Sequence, residues 1–100
     1  MVFSSGISGR DQETNALPSD PAEQARNLFD NVRAFMAIAG GTTDDIAYMK
    51  VFLKDDQYRG AINREWLSMF PDEGDRPARH ALVEDLRGGM LFQVEIIAVL

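Results

Sequence analysis

Arg76-Pro77-Ala78-Arg79-His80-Ala81-Leu82-Val83 follows an acidic, glycine-bearing loop, Pro71-Asp72-Glu73-Gly74-Asp75, and its reading decides how the rest of the chain is arranged. Proline has no N–H to give to a ladder, so Pro77 marks the entry of a strand and not its interior. Arg79 then sits near the strand's beginning, where a side chain can point into a cleft. Its guanidinium is a rigid fork of donors suited to a carboxylate. The residues alone leave two readings open: an ion pair with Asp72, Glu73 or Asp75 across the loop, or a grip on an anionic ligand. His80 alternates away from Arg79, which makes it a surface or interface histidine and not a base.

Upstream of this strand, residues of roughly 57–70 read as a helix that Asp55 or Asp56 can cap and Pro71 stops. Its apolar stripe is Tyr58, Ile62, Trp66, Met69 and Phe70, with Asn63, Arg64 and Glu65 turned away or to a flank. Before it, Ile46 to Lys54 is rich in β-branched and aromatic residues and reads as a central strand. Ala47, Met49, Val51 and Leu53 are expected on one face of it, and Asp44-Asp45 as a turn and strand-start device. Further back, Asp20 is a good N-cap, Pro21 fits the first helical position, and Glu23 falls three residues after the cap. Ala25, Leu28, Phe29, Val32, Phe35, Met36 and Ala39 form one helical stripe, and Gly40-Gly41 ends it. Residues 8–19 are polar and turn-rich, a loop, and Met1 to Ile7 reads as a short strand ending in a Ser-Gly turn. Downstream, a Gly88-Gly89 turn leads into a last strand, Leu91 to Val99, with Phe92, Val94, Ile96 and Ala98 on one face.

The order strand, loop, helix, strand, helix, strand, strand is that of an α+β domain with two helices on one face of a mixed sheet. Leu91, Ile97 and Val99 make the opposite face apolar as well, and other subunits are the simplest way to cover it.

With 100 residues, 45% hydrophobic and 26% charged, the chain has the composition of one ordinary soluble globular domain. A net charge of -6 and no basic run argue against a nucleic-acid surface. Without cysteine there is no disulfide, thiolate metal site or Cys nucleophile, and a single histidine argues against a zinc site. No apolar run approaches a membrane span and no secretory leader is evident, so the expected compartment is the cytoplasm. Ser5 has no His or Lys partner in the pattern that would make it a nucleophile.

Several segments, in order, carry a resemblance: Ser5-Gly6-Ile7, Ala22-Glu23-Gln24-Ala25-Arg26-Asn27, Asp30-Asn31-Val32, Ala39-Gly40 and Asp44-Asp45-Ile46. They continue with Val51-Phe52-Leu53-Lys54-Asp55, Tyr58 through Asn63, Pro77-Ala78-Arg79 and Val94-Glu95-Ile96-Ile97-Ala98. The chain resembles the Rid (YjgF-type) family of reactive-intermediate deaminases across almost its whole length. The resemblance implies a single chorismate-mutase-like domain over residues 1–100. It also implies a homotrimer whose sheets form a central barrel and whose active sites lie in clefts between subunits. The implied activity is hydrolysis of 2-imino and 2-enamino acids to 2-oxo acids and ammonia, with no metal or organic cofactor.

By the same resemblance, Arg79 grips the substrate carboxylate, the backbone at Ala81 donates to it, Asn63 stands at the cleft and Ser5-Gly6 lines it. Gln93 takes the place of a family glutamate that positions the hydrolytic water. Two other departures accompany it. By the resemblance the chain is expected to begin at the family's second strand, without the opening strand and its substrate-contacting tyrosine, and Val83 to Met90 is expected to be one residue shorter and to lack the usual Leu-Pro pair. Glu95, two residues on, points to the same face as Gln93. Because Gln93 cannot accept a proton, a non-catalytic carboxylate-binding trimer is the alternative. The family's older labels, endoribonuclease and translation inhibitor, fit the acidic charge least.

Overall fold

The structure, a computed structural model, describes every residue from Met1 to Leu100. The elements are β1 (Val2–Phe3), β2 (Ile7–Ser8), α1 (Pro21–Ala39), β3 (Ile46–Leu53), α2 (Arg59–Met69), β4 (Ala78–Val83) and β5 (Phe92–Ala98). One mixed sheet has the order β1-β5-β3-β4, with β2 also on β5. β3 runs parallel to β4 and antiparallel to β5. The strand–helix–strand crossover through α2 makes the parallel pair possible. No helix is long and apolar enough to cross a membrane.

The long helix forms where the capping chemistry predicts. Asp20 accepts from the Glu23 amide at 3.1 Å, Pro21 is the first helical residue, and Gly40 closes the helix at φ 90°, a left-handed conformation that costs glycine no clash. Ala25, Leu28, Phe29, Val32 and Met36 of its stripe are fully buried. They meet Met49, Val51 and Leu53 from β3 and Phe92, Val94, Ile96 and Ala98 from β5, so the core lies wholly between the helices and one sheet face.

The structure departs from the sequence expectation at several element ends and at one point in the pleat of β3. Met1 to Ile7 is not one strand: β1 and β2 run along the same edge of β5 with a bulge between them. Val2 faces Ala98 while Ile7 faces Val94, so five steps on one strand match four on the other. The Ser4 hydroxyl accepts from the Ile96 amide at 2.8 Å where a regular ladder would use a backbone carbonyl. In β3, Ile46 is buried and Ala47 exposed, because a register irregularity between Ile46 and Tyr48 shifts the pleat by one residue there. From Met49 onward the expected face holds. The second helix begins late: Asp55 caps a short 3-10 turn, Asp56–Tyr58, through the Gln57 amide, and α2 starts only at Arg59. At the other end of the sheet, β5 spans Phe92–Ala98, one residue shorter at each end than Leu91 to Val99.

Asn side chains stitch the polar loop onto α1. Asn31 Nδ2 donates to the carbonyls of Ser8 and Arg10, each at 2.9 Å, and Asn27 Nδ2 to that of Gly9 at 3.3 Å. Beside them Gln24, 1% exposed, is a buried polar hub. Its Nε2 donates to Pro18 O (2.7 Å) and Gly89 O (3.0 Å), and its Oε1 accepts from the Leu91 amide (3.0 Å). One side chain thus ties the loop before α1 to the turn before β5.

The face of the sheet away from the helices carries Tyr48, Lys50 and Phe52 from β3, His80 and Leu82 from β4, and Glu95 and Ile97 from β5. Their registers place them side by side. Phe3, 65% exposed, lies opposite Ile97 on the same face. A hollow of about 190 Å³ there is lined by Phe3, Ser4, Tyr48, Lys50, Glu95 and Ile97. Half-exposed aromatic and aliphatic side chains thus share this open sheet face with Lys50, His80 and Glu95.

Candidate functional site

Arg79 is the second residue of β4 and stands opposite Met49, hence on the helix side of the sheet. β4 is an edge strand, so its guanidinium lies at the margin of the core, against α2. Nη2 donates to Asn63 Oδ1 at 2.5 Å, and Cζ lies 5.1 Å from the centroid of the Trp66 ring. Asn63 and Trp66 are three residues apart on α2 and share one face of it. Asn63 is therefore half-buried against Arg79, on the flank of the α2 stripe.

No carboxylate answers this guanidinium. The four ion pairs are Arg26–Glu23, Arg33–Asp30, Lys54–Asp85 and Arg59–Asp56. Asp72, Glu73 and Asp75 leave Arg79 alone, and the loop arginine Arg76 donates to Phe70 O at 2.8 Å. The ion-pair reading of Arg79 is thereby set aside. Burial first, and then the neighbouring Arg59 guanidinium, press the Arg79 pKa below its ordinary value. The group stays cationic at neutral pH. A half-buried cation with only neutral partners retains most of its charge for an incoming anion.

The backbone beside Arg79 supplies a further donor. The Glu84 amide donates to Leu53 O at 2.8 Å, toward β3. Alternation along the strand sends the Leu82 and His80 amides the same way and the Ala81 amide outward, to the open edge. Arg79 and the Ala81 N–H thus border the same open edge of the sheet. His80 is on the opposite face and exposed.

The other candidate residues gather elsewhere. Gln93 pairs with Phe52 and Ser8, on the face away from the helices. Gly6, in the bulge between β1 and β2, lies against it: a Cβ there would collide with the Gln93 amide, so only glycine leaves that amide its place. Ser5 is the exposed neighbour in the same bulge. Arg79 with Asn63 and Ala81, and Gln93 with Ser5 and Gly6, are two candidate half-sites. β3 separates them, and they occupy opposite sheet faces, so they do not meet within one chain. The largest hollows, about 290 and 310 Å³, lie between the polar loop and α1 and include none of these residues. No three His, Asp or Glu side chains converge to hold a metal ion.

The sequence profile of the family described as endoribonuclease L-PSP matches residues 1–100. The chain belongs to this family, the Rid/YjgF proteins. Its fold superposes on the YjgF gene product of E. coli with a TM-score of 0.87 at 31% identity, covering 97% of this chain and 78% of that one. E. coli TdcF, determined with bound serine, matches with a TM-score of 0.88 at 30% identity, over 97% and 78% of the two chains. RidA from an Antarctic Psychrobacter species gives 0.87 at 28% identity, over 97% and 79%. The mixed sheet with two helices is thus the Rid/YjgF fold.

Sequence reasoning placed Trp66 in the core stripe and missed its contact with Arg79. The i, i+3 spacing from Asn63 was the available signal. It also passed over Gln24 as a hub, although an amide four residues before Leu28 on a buried stripe is a polar group in need of partners.

Proposed function

We propose that this protein is a Rid-type hydrolase of small 2-imino and 2-enamino acids, releasing 2-oxo acids and ammonia. The single observation that carries the reading is Arg79, a half-buried guanidinium with an amide oxygen and an aromatic face for partners and no carboxylate. Arg79 and the Ala81 N–H hold the substrate carboxylate, and Asn63 keeps the guanidinium in place. Water adds to the iminium carbon, forming the C–O bond. The carbinolamine then expels ammonia as the carbonyl forms. No cofactor is required, because the imine is already electrophilic and positioning lowers much of the remaining barrier.

The second half-site completes the cleft from a neighbouring subunit, with Gln93 orienting the water and Ser5-Gly6 shaping the wall. A homotrimer accounts for the half-exposed outer face of Tyr48, Phe52 and Ile97. Light scattering on the purified protein is expected to give three times the chain mass; a monomer would contradict the shared cleft.

Gln93 also motivates the second reading, a trimer that binds 2-oxo acids without turning over imines. An amide can orient water but cannot take its proton. The deciding experiment generates 2-imino acids with an amino-acid oxidase and lets semicarbazide compete for them. The wild-type protein is expected to lower semicarbazone formation, and Gln93→Glu to raise turnover by about tenfold or more through general-base help. An inert wild type beside an active Gln93→Glu would assign the native chain to the binding reading.

A further inference from the structure

We propose that Trp66 is the positioning residue that sets the plane of the Arg79 guanidinium for carboxylate capture; this rests on the reading of Arg79 as a carboxylate anchor. Asn63 fixes one end of the fork through Nη2. One hydrogen bond leaves the plane free to turn about that contact. The Trp66 ring, 5.1 Å from Cζ, removes this freedom, because a guanidinium is drawn to the negative face of an indole. The ring itself has little freedom: Trp66 is 7% exposed and packs on Phe70 with centroids 4.8 Å apart and planes tilted by 59°.

The chemistry of the partner matters as much as its place. A carboxylate in this position would orient Arg79 equally well, but it would also neutralise it and compete with the substrate. An aromatic face orients the cation and leaves its outward N–H groups unpaired, beside the outward Ala81 amide. The neighbouring cation is not similarly free: Arg59 donates from Nε to Asp56 Oδ1 at 2.9 Å, and its Nη2 lies 2.8 Å from the same oxygen. A core role alone would need an apolar side chain of this volume; the specific requirement for a π face separates the two roles.

Trp66 is the single tryptophan, so its emission reports on the contact directly. Titrating wild type with 2-oxobutanoate is expected to shift the emission maximum, and Arg79→Ala to abolish both the shift and the calorimetric signal. Trp66→Phe, which keeps a π face, is expected to hold the Kd within about threefold of wild type, and Trp66→Leu to weaken it about tenfold. Circular dichroism on both variants confirms folding, and should Trp66→Leu not fold, the wild-type emission shift decides. A wild-type Kd in folded Trp66→Leu would overturn the proposal, as would Arg79-dependent binding with no change in Trp66 emission. Wild-type binding by Arg79→Ala would instead remove the anchor reading and the proposal with it.

Discussion

Replacing Arg79 with alanine is expected to weaken 2-oxobutanoate binding and to cut imine turnover by about a hundredfold or more, the usual result of removing one side of a hydrogen-bonded charge pair. Folding is expected to survive almost unchanged. Arg79 has no carboxylate partner that its loss would strand, and Asn63 at the sheet margin can turn its amide to water. Arg79→Lys makes the argument sharper. It keeps the charge but not the fork, so binding is expected to recover only in part. Calorimetry with 2-oxobutanoate, paired with a thermal melt, measures both quantities. A lowered melting temperature with an unchanged Kd would make Arg79 a structural residue and contradict the anchor.

Gln24→Leu is the substitution expected to cost the fold most for its size. The volumes are similar, so little cavity forms, but Pro18 O, Gly89 O and the Leu91 N–H each lose a part-buried hydrogen bond. At about 1 kcal/mol or more for each stranded group, the loss is expected to reach about 3 kcal/mol. Urea denaturation followed by circular dichroism reads it as a lower midpoint with an unchanged slope. A change below about 0.5 kcal/mol, the size of an ordinary surface substitution, would mean that water or a relaxed backbone replaces the hub.

The parts of the fold legible in the sequence are those set by local chemistry. Asp20, Pro21 and Gly40 bounded α1 through capping and backbone preference, and strict alternation from Phe92 to Ala98 placed β5 and its buried face. What escaped was decided by contacts between distant segments. The Ser4 hydroxyl substitutes for a ladder carbonyl only because Ile96 stands opposite, so the bulge that splits β1 from β2 has no local signature. The slip at Ala47 likewise belongs to the pairing of β3 with β5 and not to either sequence alone.

The candidate site divides in the same way. Pro77 marked the strand entry and alternation put His80 on the other face from Arg79, both from local pattern. Periodicity did not show the contact of Arg79 with α2, because it ranks Asn63 as a flank and Trp66 as core; only the resemblance put Asn63 at the same cleft, and nothing put Trp66 there. The separation of Arg79 from Gln93 needed the strand order. Assigned to one inter-subunit cleft by the resemblance, they stand on opposite sheet faces of a single chain with β3 between them.

A crystal structure of the protein grown with 2-oxobutanoate tests the central claim most directly. The expected result is a trimer with the ligand carboxylate on the Arg79 guanidinium and the Ala81 N–H. Gln93 and Gly6 of a neighbouring subunit should face the keto carbon. A ligand seated away from Arg79, or Arg79 and Gln93 left apart in the assembled protein, would contradict it.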